Sequence, residues 1–295
     1  MPRPTIAFDT SAINWMAKDA SHSESFTAAL RCGYDVQVTG MAVGELISTQ
    51  DSTKRELFIA CCQRLLASGR CVWPPHEIIR LLILAHHNNP TGFNWGQVDI
   101  EAPEYARAIV ERDFNYALCL EEWKMQQHLE DQYLNHWREL GLKLEPLFVE
   151  NPALRPKTYA QAAAIARKKT SILFAIGQGL YEKVATIKLS DAEIKTFMDI
   201  CPPFRASCYA VLGSWYDCSL KHPPPKKPAG RNDHMMAAYL PYCERFVTRD
   251  KKQTKRLQEV AVEAQITCDV RYYDEFLASF NVGATSRYES LSARH

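Results

Sequence analysis

No stretch of this 295-residue chain approaches the roughly 20 consecutive apolar residues that a membrane-spanning helix needs. Met1-Pro2-Arg3-Pro4-Thr5 leads into only three apolar residues, Ile6-Ala7-Phe8, before an aspartate; that is too little for a secretory leader, so secretion is not expected. Ten cysteines are present but no CxxC pair, which removes the usual ligand spacing of a zinc site. With Cys61 and Cys62 adjacent and the others scattered, free thiols in a reducing cytoplasm are the expectation, rather than disulfides. The turn Asp9-Thr10-Ser11-Ala12 holds no glycine, and Gly177-Gln178-Gly179 falls inside a predicted helix, so a dinucleotide-binding fingerprint is missing. No Ser/His or Cys/His pattern offers a protein nucleophile.

What is present is ordinary for a globular chain: 46% apolar and 23% charged residues, and enough length for one large domain or two small ones. The net charge is only +1, but it is unevenly spread. Residues 226–256 carry nine Lys or Arg against three acids, and residues 101–151 carry eleven acids against five bases. A local basic segment attracts phosphate even when the whole chain is near neutral.

Both ends alternate strand and helix. Thr5–Phe8 is short and β-prone, and Ser11 is placed to cap a helix from Ala12. A helix over 24–31, a strand over 35–39, a helix over 41–49, a helix over 53–67 and a short strand over 71–73 follow. The middle reads as helix: 77–87, a single long helix over 103–140, another over 158–185, a capping box at Ser190-Asp191-Ala192-Glu193, and a helix from Pro202 to Leu220. Four prolines within Lys221–Gly230 forbid regular structure there. Then come a helix over 233–242, a strand over 245–248, a helix over 251–264, a strand over 268–273, a helix over 274–280 and a polar tail. Alternation of this kind predicts an α/β fold with a central parallel sheet and helices on both faces. The expected division is a discontinuous α/β domain from 1–73 and 201–280, a helical insertion over 74–200, and a flexible tail over 281–295.

Four acids fall at element ends. Asp9 closes the first strand and Asp250 the 245–248 strand; Glu45 lies one turn into the helix after the second strand, and Asp233 starts the helix preceding Phe246. In an open parallel sheet such positions face the crevice beyond the C-terminal strand edge. Packed together they repel, and a divalent cation resolves the repulsion; hard carboxylate oxygens suit Mg²⁺ or Mn²⁺.

These residues resemble a known family. Ile6-Ala7-Phe8-Asp9-Thr10-Ser11-Ala12-Ile13-Asn14 is similar to the opening of PIN-domain ribonucleases. Val38-Thr39-Gly40-Met41-Ala42-Val43-Gly44-Glu45-Leu46 resembles their second motif, and Asn232-Asp233-His234-Met235-Met236-Ala237-Ala238 with Phe246-Val247-Thr248-Arg249-Asp250 resembles the third and fourth. The resemblance covers about 120 residues at the two ends; between them the chain is far longer than compact members, and Lys251-Lys252-Gln253 stand where another acid often follows.

The resemblance implies a PIN-like three-layer α/β/α fold and metal-dependent hydrolysis of single-stranded RNA, leaving a 5′-phosphate and a 3′-hydroxyl. Asp9, Glu45, Asp233 and Asp250 are the implied ligands of one or two Mg²⁺ or Mn²⁺ ions, with Ser11 and Thr248 orienting carboxylates or water. Arg249, Lys251, Lys252, Lys255 and Arg256 flank the last carboxylate and would guide the RNA backbone towards an acidic pocket. The family's frequent role as a toxin implies an antitoxin or other protein partner; a homo-oligomer is left open, and no membrane is expected. A haloacid dehalogenase-type phosphatase needs a second acid two residues after the first, where Ser11 stands. The other reading is a PIN-like module with a weak or inactive site that binds RNA or a protein.

Overall fold

Alternate residues of each central strand feed two different cores. Ile6 and Phe8 enter one and Ala7 the other; Cys71 and Val72 divide in the same way, as do Phe246 and Val247. This period of two follows from the pleat and requires helices on both faces of the sheet. The computed structural model describes residues 3–19, 23–168, 171–221 and 231–279.

Five strands form one all-parallel sheet: β1 (Thr5–Phe8), β2 (Asp35–Thr39), β3 (Arg70–Val72), β4 (Arg245–Thr248) and β5 (Asp269–Tyr272), in the order β3-β2-β1-β4-β5. The chain steps outward from β1 to β3, then returns to the other side of β1 for β4. That reversal creates a crevice beyond the C-terminal ends of β1 and β4, where open α/β sheets bind ligands.

The helices are α1 (Thr10–Lys18), α2 (Ser23–Gly33), α3 (Gly40–Ile47), α4 (Ser52–Leu66), α5 (Pro75–Asn88), α6 (Pro103–Glu111), α7 (Tyr116–Glu150), α8 (Tyr159–Lys168), α9 (Ser171–Ala185), α10 (Asp191–Ile200), α11 (Pro202–Trp215), α12 (Arg231–Met235) and α13 (Lys251–Glu263). One core joins Ile13, Leu46, Ile59 and Leu65 of α1, α3 and α4 to the sheet. The other joins Leu82, Tyr181, Phe197, Leu212 and Leu257 of α5, α9, α10, α11 and α13 to its opposite face. Residues of the helical middle thus pack into the same core as one face of the sheet. Ile194 and Phe197 of the middle, with Phe204 of α11, carry apolar surface that Ala7, Phe246 and Val270 bury on that face.

Local differences have local causes. Asp9, not Ser11, is the cap of α1: its carboxylate accepts from Ala12 N at 2.9 Å. The long helix expected over 103–140 is broken at Arg112, which sits at φ 57°, and restarts at Asn115, whose side chain accepts from Leu118 N at 3.2 Å. Within the helix expected over 158–185, α8 and α9 are helical on either side of residues 169–170, which lie outside the described residues; Gly177 lies inside α9, where a Cβ would stand 3.0 Å from Ile194 Cγ2. The Ser190–Glu193 capping box forms as predicted. The helix from Pro202 ends at Trp215 in a π turn over Tyr216–Leu220, and the one expected over 233–242 is α12 followed by a 3₁₀ segment, Met236–Tyr242. Residues 273–279 are helical. The proline-rich break (from His222 to Gly230) and the tail lie outside the described residues. All ten cysteines are free thiols and seven are buried, with Cys61 pushed up to about 11 and Cys71 to about 12 by burial.

Candidate active site

The crevice between β1 and β4 is acidic. Asp9 leaves β1 there, held by its role as cap of α1, and it is 4% exposed. Three hydroxyl or amide donors surround it: Ser11 Oγ at 2.9 Å from Oδ1, Thr248 Oγ1 at 2.8 Å from Oδ2, and the Ala12 amide. Burial outweighs these donors and pushes the Asp9 carboxyl up to about 6, with the charge of Asp233 adding to the rise. Glu45 reaches the same place from α3, whose N-terminus is capped by Thr39 at the end of β2. Gly40 lets that turn approach the β3 end: a Cβ there would stand 2.8 Å from Val72 O. Burial pushes Glu45 up to about 7, and the charges of Asp233, Asp9 and Glu130 add to it, while the Thr10 hydroxyl opposes.

Asp9, Glu45 and Asp233 are thus brought together from the two ends of the chain. Glu130 of α7 is a fourth member that the sequence reading did not single out. Its carboxyl is raised by burial and by Asp233, while Arg231 and the Asn232 amide lower it. Its one signal in the sequence was membership of the acidic stretch 101–151, which gave no reason to choose it among eleven acids. Gln253 is the second unanticipated residue. Buried at the start of α13, it contacts the Thr248 hydroxyl through Oε1 and donates from Nε2 to Asp233 Oδ1 at 3.3 Å.

Asp250 does not join the other acids. It is exposed and caps α13, accepting from Lys252 N at 2.6 Å and Gln253 N at 3.0 Å. Ser11 and Thr248 do orient Asp9, and Ser11 Oγ also accepts from the Arg249 amide at 2.8 Å.

The basic residues divide. Arg249 stacks over Trp15, with its guanidinium carbon 3.3 Å from the ring centroid, and pairs with Asp274 at 3.3 Å. Lys251 stands 5.3 Å over Tyr272, and Lys251, Lys252 and Lys255 are exposed. Arg256 corrects the expectation of a surface phosphate contact: it is 7% exposed, pairs with Asp217 at 2.7 Å and Glu259 at 2.6 Å, and lies over Tyr159. Its partners neutralise it inside the protein, so it fixes α13 to the π turn.

Helix α7 lies over the site. It packs on α3, α12 and the π turn. Ser48 Oγ donates to Cys119 O at 3.0 Å, Arg231 Nη1 donates to Gln126 Oε1 at 3.3 Å, and Ser219 Oγ donates to Trp137 O at 2.5 Å. Gly141 permits this approach, since a Cβ there would stand 2.9 Å from Ser219 Cα. Two cavities remain beside Glu45, of about 490 and 350 Å³, and Trp123 of α7 lines both.

In chemical type, though not in an assembled geometry, the donor set is what a hard divalent cation takes. It consists of carboxylates that repel one another, and the neighbouring Asn232 buries an amide whose Oδ1 and Nδ2 meet no hydrogen-bond partner among the described residues. Among those residues no three of His, Cys, Asp or Glu are placed so that together they could hold a metal ion. Mg²⁺ needs no such cage: it keeps several waters and takes one or two carboxylates directly, together with substrate phosphate. Comparisons with protein-family models, with curated proteins and with solved structures gave no match.

Proposed function

We propose that this chain is a PIN-like, metal-dependent endoribonuclease that hydrolyses phosphodiester bonds of single-stranded RNA and leaves a 5′-phosphate and a 3′-hydroxyl. The observation that carries the reading is the mutual influence of Asp9, Glu45 and Asp233 at the β1/β4 crevice. Acids from the two ends of the chain share one small, repulsive space there, at the sheet edge where ligands bind. The strand order and the motif resemblance support the same reading.

Of Asp9, Glu45, Asp233 and Glu130, one or two at a time would hold a Mg²⁺ or Mn²⁺ ion directly, with water and substrate phosphate supplying its other ligands. When bound, such an ion lowers the pKa of a water and offsets charge on the phosphoryl oxygens. The chain's own part is positional. Ser11 and Thr248 fix both oxygens of Asp9, and Gln253 ties Thr248 to Asp233, while α7 packs on α3 and α12 beside them. Arg249, just after β4, and Lys251, Lys252 and Lys255, exposed on α13, would counter the repulsion between acids and RNA.

One observation favours a second reading, a module that binds RNA or a protein without cutting. Asp250 is spent on capping α13, and Asp9 is already surrounded by protein donors. Single-turnover cleavage of end-labelled RNA with Mn²⁺ separates the two. The nuclease reading expects cleavage by the wild type and its loss in Asp9→Asn and Asp233→Asn. Cleavage surviving both changes refutes it, and RNA binding without cleavage in any form supports the module.

A further inference from the structure

The larger cavity beside Glu45 has a character that metal-dependent hydrolysis does not explain. Its volume, about 490 Å³, lies within the roughly 300–1,000 Å³ of small-molecule sites. Tyr105, Phe114 and Trp123 supply aromatic lining, and Glu104 and Glu122 are acidic lining residues on α6 and α7. Both acids act on Tyr105, whose phenol is raised by burial and by the charges of Glu122 and Glu104. Trp73 packs edge-on against the same ring at 5.8 Å and holds its plane. Glu45 lines the cavity and also feels the charges of Asp9 and Asp233, so the cavity lies beside the acidic crevice.

Aromatic walls take up flat, neutral rings, and carboxylates accept hydrogen bonds but cannot donate them. A phosphate is repelled from such a cavity; an unstacked base is not. Single-stranded RNA is recognised in this way, by bases stacked on aromatic side chains and read along their hydrogen-bonding edges. The bases differ in how they suit a carboxylate. Guanine presents two adjacent donors, N1–H and the N2 amino group, matched to two acceptor oxygens. Adenine and cytosine place one donor beside an acceptor, and uracil flanks its single N–H with carbonyl oxygens that a carboxylate repels.

We propose that the cavity between α3, α6 and α7 is a nucleobase pocket of the RNA substrate, selective for guanine through Glu104 and Glu122 and closed by Trp123. The proposal deepens the nuclease reading and rests on it for the word substrate. The pocket itself is testable without cleavage.

The test is a titration of the intact chain with guanosine, adenosine and uridine in the absence of added metal, read by quenching of tryptophan fluorescence. Trp123→Phe identifies the share of the signal that belongs to the pocket. Guanosine is expected to bind at least tenfold more tightly than uridine. In Glu104→Gln/Glu122→Gln, guanosine is expected to lose about tenfold while adenosine gains on it, because an amide offers one donor beside one acceptor. A merely structural role for the two acids does not move that ratio. Absence of quenching up to millimolar nucleoside, equal affinity for guanosine and uridine, or an unchanged preference in the double variant overturns the pocket. So does spermidine binding more tightly than guanosine in the same assay, which makes the cavity a cation site. If the chain binds guanosine selectively but cuts no RNA, the nuclease reading fails and the pocket stands. If it cuts RNA with no preference for guanosine, the reverse holds.

Discussion

Thr248 Oγ1 stands 2.8 Å from Asp9 Oδ2 and joins the C-terminal ends of two adjacent parallel strands. The same hydroxyl contacts Gln253 Oε1, although it carries a single proton. With the Asp9 carboxyl raised to about 6, a protonated Asp9 can donate to Thr248, which then donates onward to Gln253; an ionised Asp9 instead accepts the hydrogen bond that Thr248 donates. Thr248→Val keeps the shape and removes both options. Losing a buried hydrogen bond to a charged group costs about 1.5–3 kcal/mol, so chemical denaturation at pH 7 should show destabilisation of that order. Thr248→Ser should recover most of it. A valine variant as stable as wild type would show that the hydroxyl contributes nothing net.

The raised acids make stability depend on pH in a definite direction. Asp9 and Glu45 bind protons more tightly in the folded chain, at about 6 and about 7, than in the unfolded chain near 4. Their contribution is fully present below pH 4 and is lost as pH rises through 6 and 7. For Asp9 alone the loss is about 1–3 kcal/mol. Without metal, the melting temperature should therefore fall between pH 5 and pH 8, and Asp9→Asn should flatten the fall. Mn²⁺ competes with protons for the same oxygens, so its stabilising effect should grow across that interval. A metal effect independent of pH would show that the ion binds elsewhere.

Glu130 offers a cleaner separation of repulsion from ligation. Its charge raises Glu45, and Asp233 raises Glu130 in turn. Glu130→Gln removes one member of a like-charged group, so the metal-free chain should become more stable at pH 8 by a few tenths to about 1 kcal/mol. Mn²⁺ affinity should fall by about tenfold, read by calorimetric titration. Stability and affinity moving in opposite directions is the signature; a fall in both would mark Glu130 as a packing residue only.

Much of this arrangement was legible in the sequence, for identifiable reasons. β1, β2 and β4 each end in a polar residue that starts a helix, Asp9, Thr39 and Asp250, and that punctuation is local. Asp9, Glu45 and Asp233 follow from it once the strands are parallel. The break at Arg112 was not legible, because no glycine or proline marks it and the apolar stripe continues through it. Nor was the withdrawal of Arg256 from the surface, since Asp217 reaches it only through the packing of α13 on the π turn. Glu130 is legible only in three dimensions, being one acid among many on a helix whose placement over the crevice depends on Gly141 and Ser219.

Arg256 and the exposed lysines of α13 should separate in two measurements. Arg256→Met leaves the buried Asp217 with only its 3.9 Å contact to Lys221, and breaking a buried pair costs about 3–5 kcal/mol. The variant should lose stability of that order, while the RNA affinity of its folded fraction stays close to wild type. Lys251, Lys252 and Lys255 are exposed on the helix that starts beside Thr248. Changing all three to Gln should leave stability within about 0.5 kcal/mol, as for most surface substitutions. Each lysine that neutralises a phosphate of single-stranded RNA contributes about 0.7 to the slope of log affinity against log salt. Fluorescence anisotropy with a labelled oligonucleotide across 50–200 mM salt should therefore show the slope reduced by about 2 in the triple variant and unchanged in Arg256→Met. An equal change of slope in both would return Arg256 to the RNA surface, against its burial between Asp217, Glu259 and Tyr159.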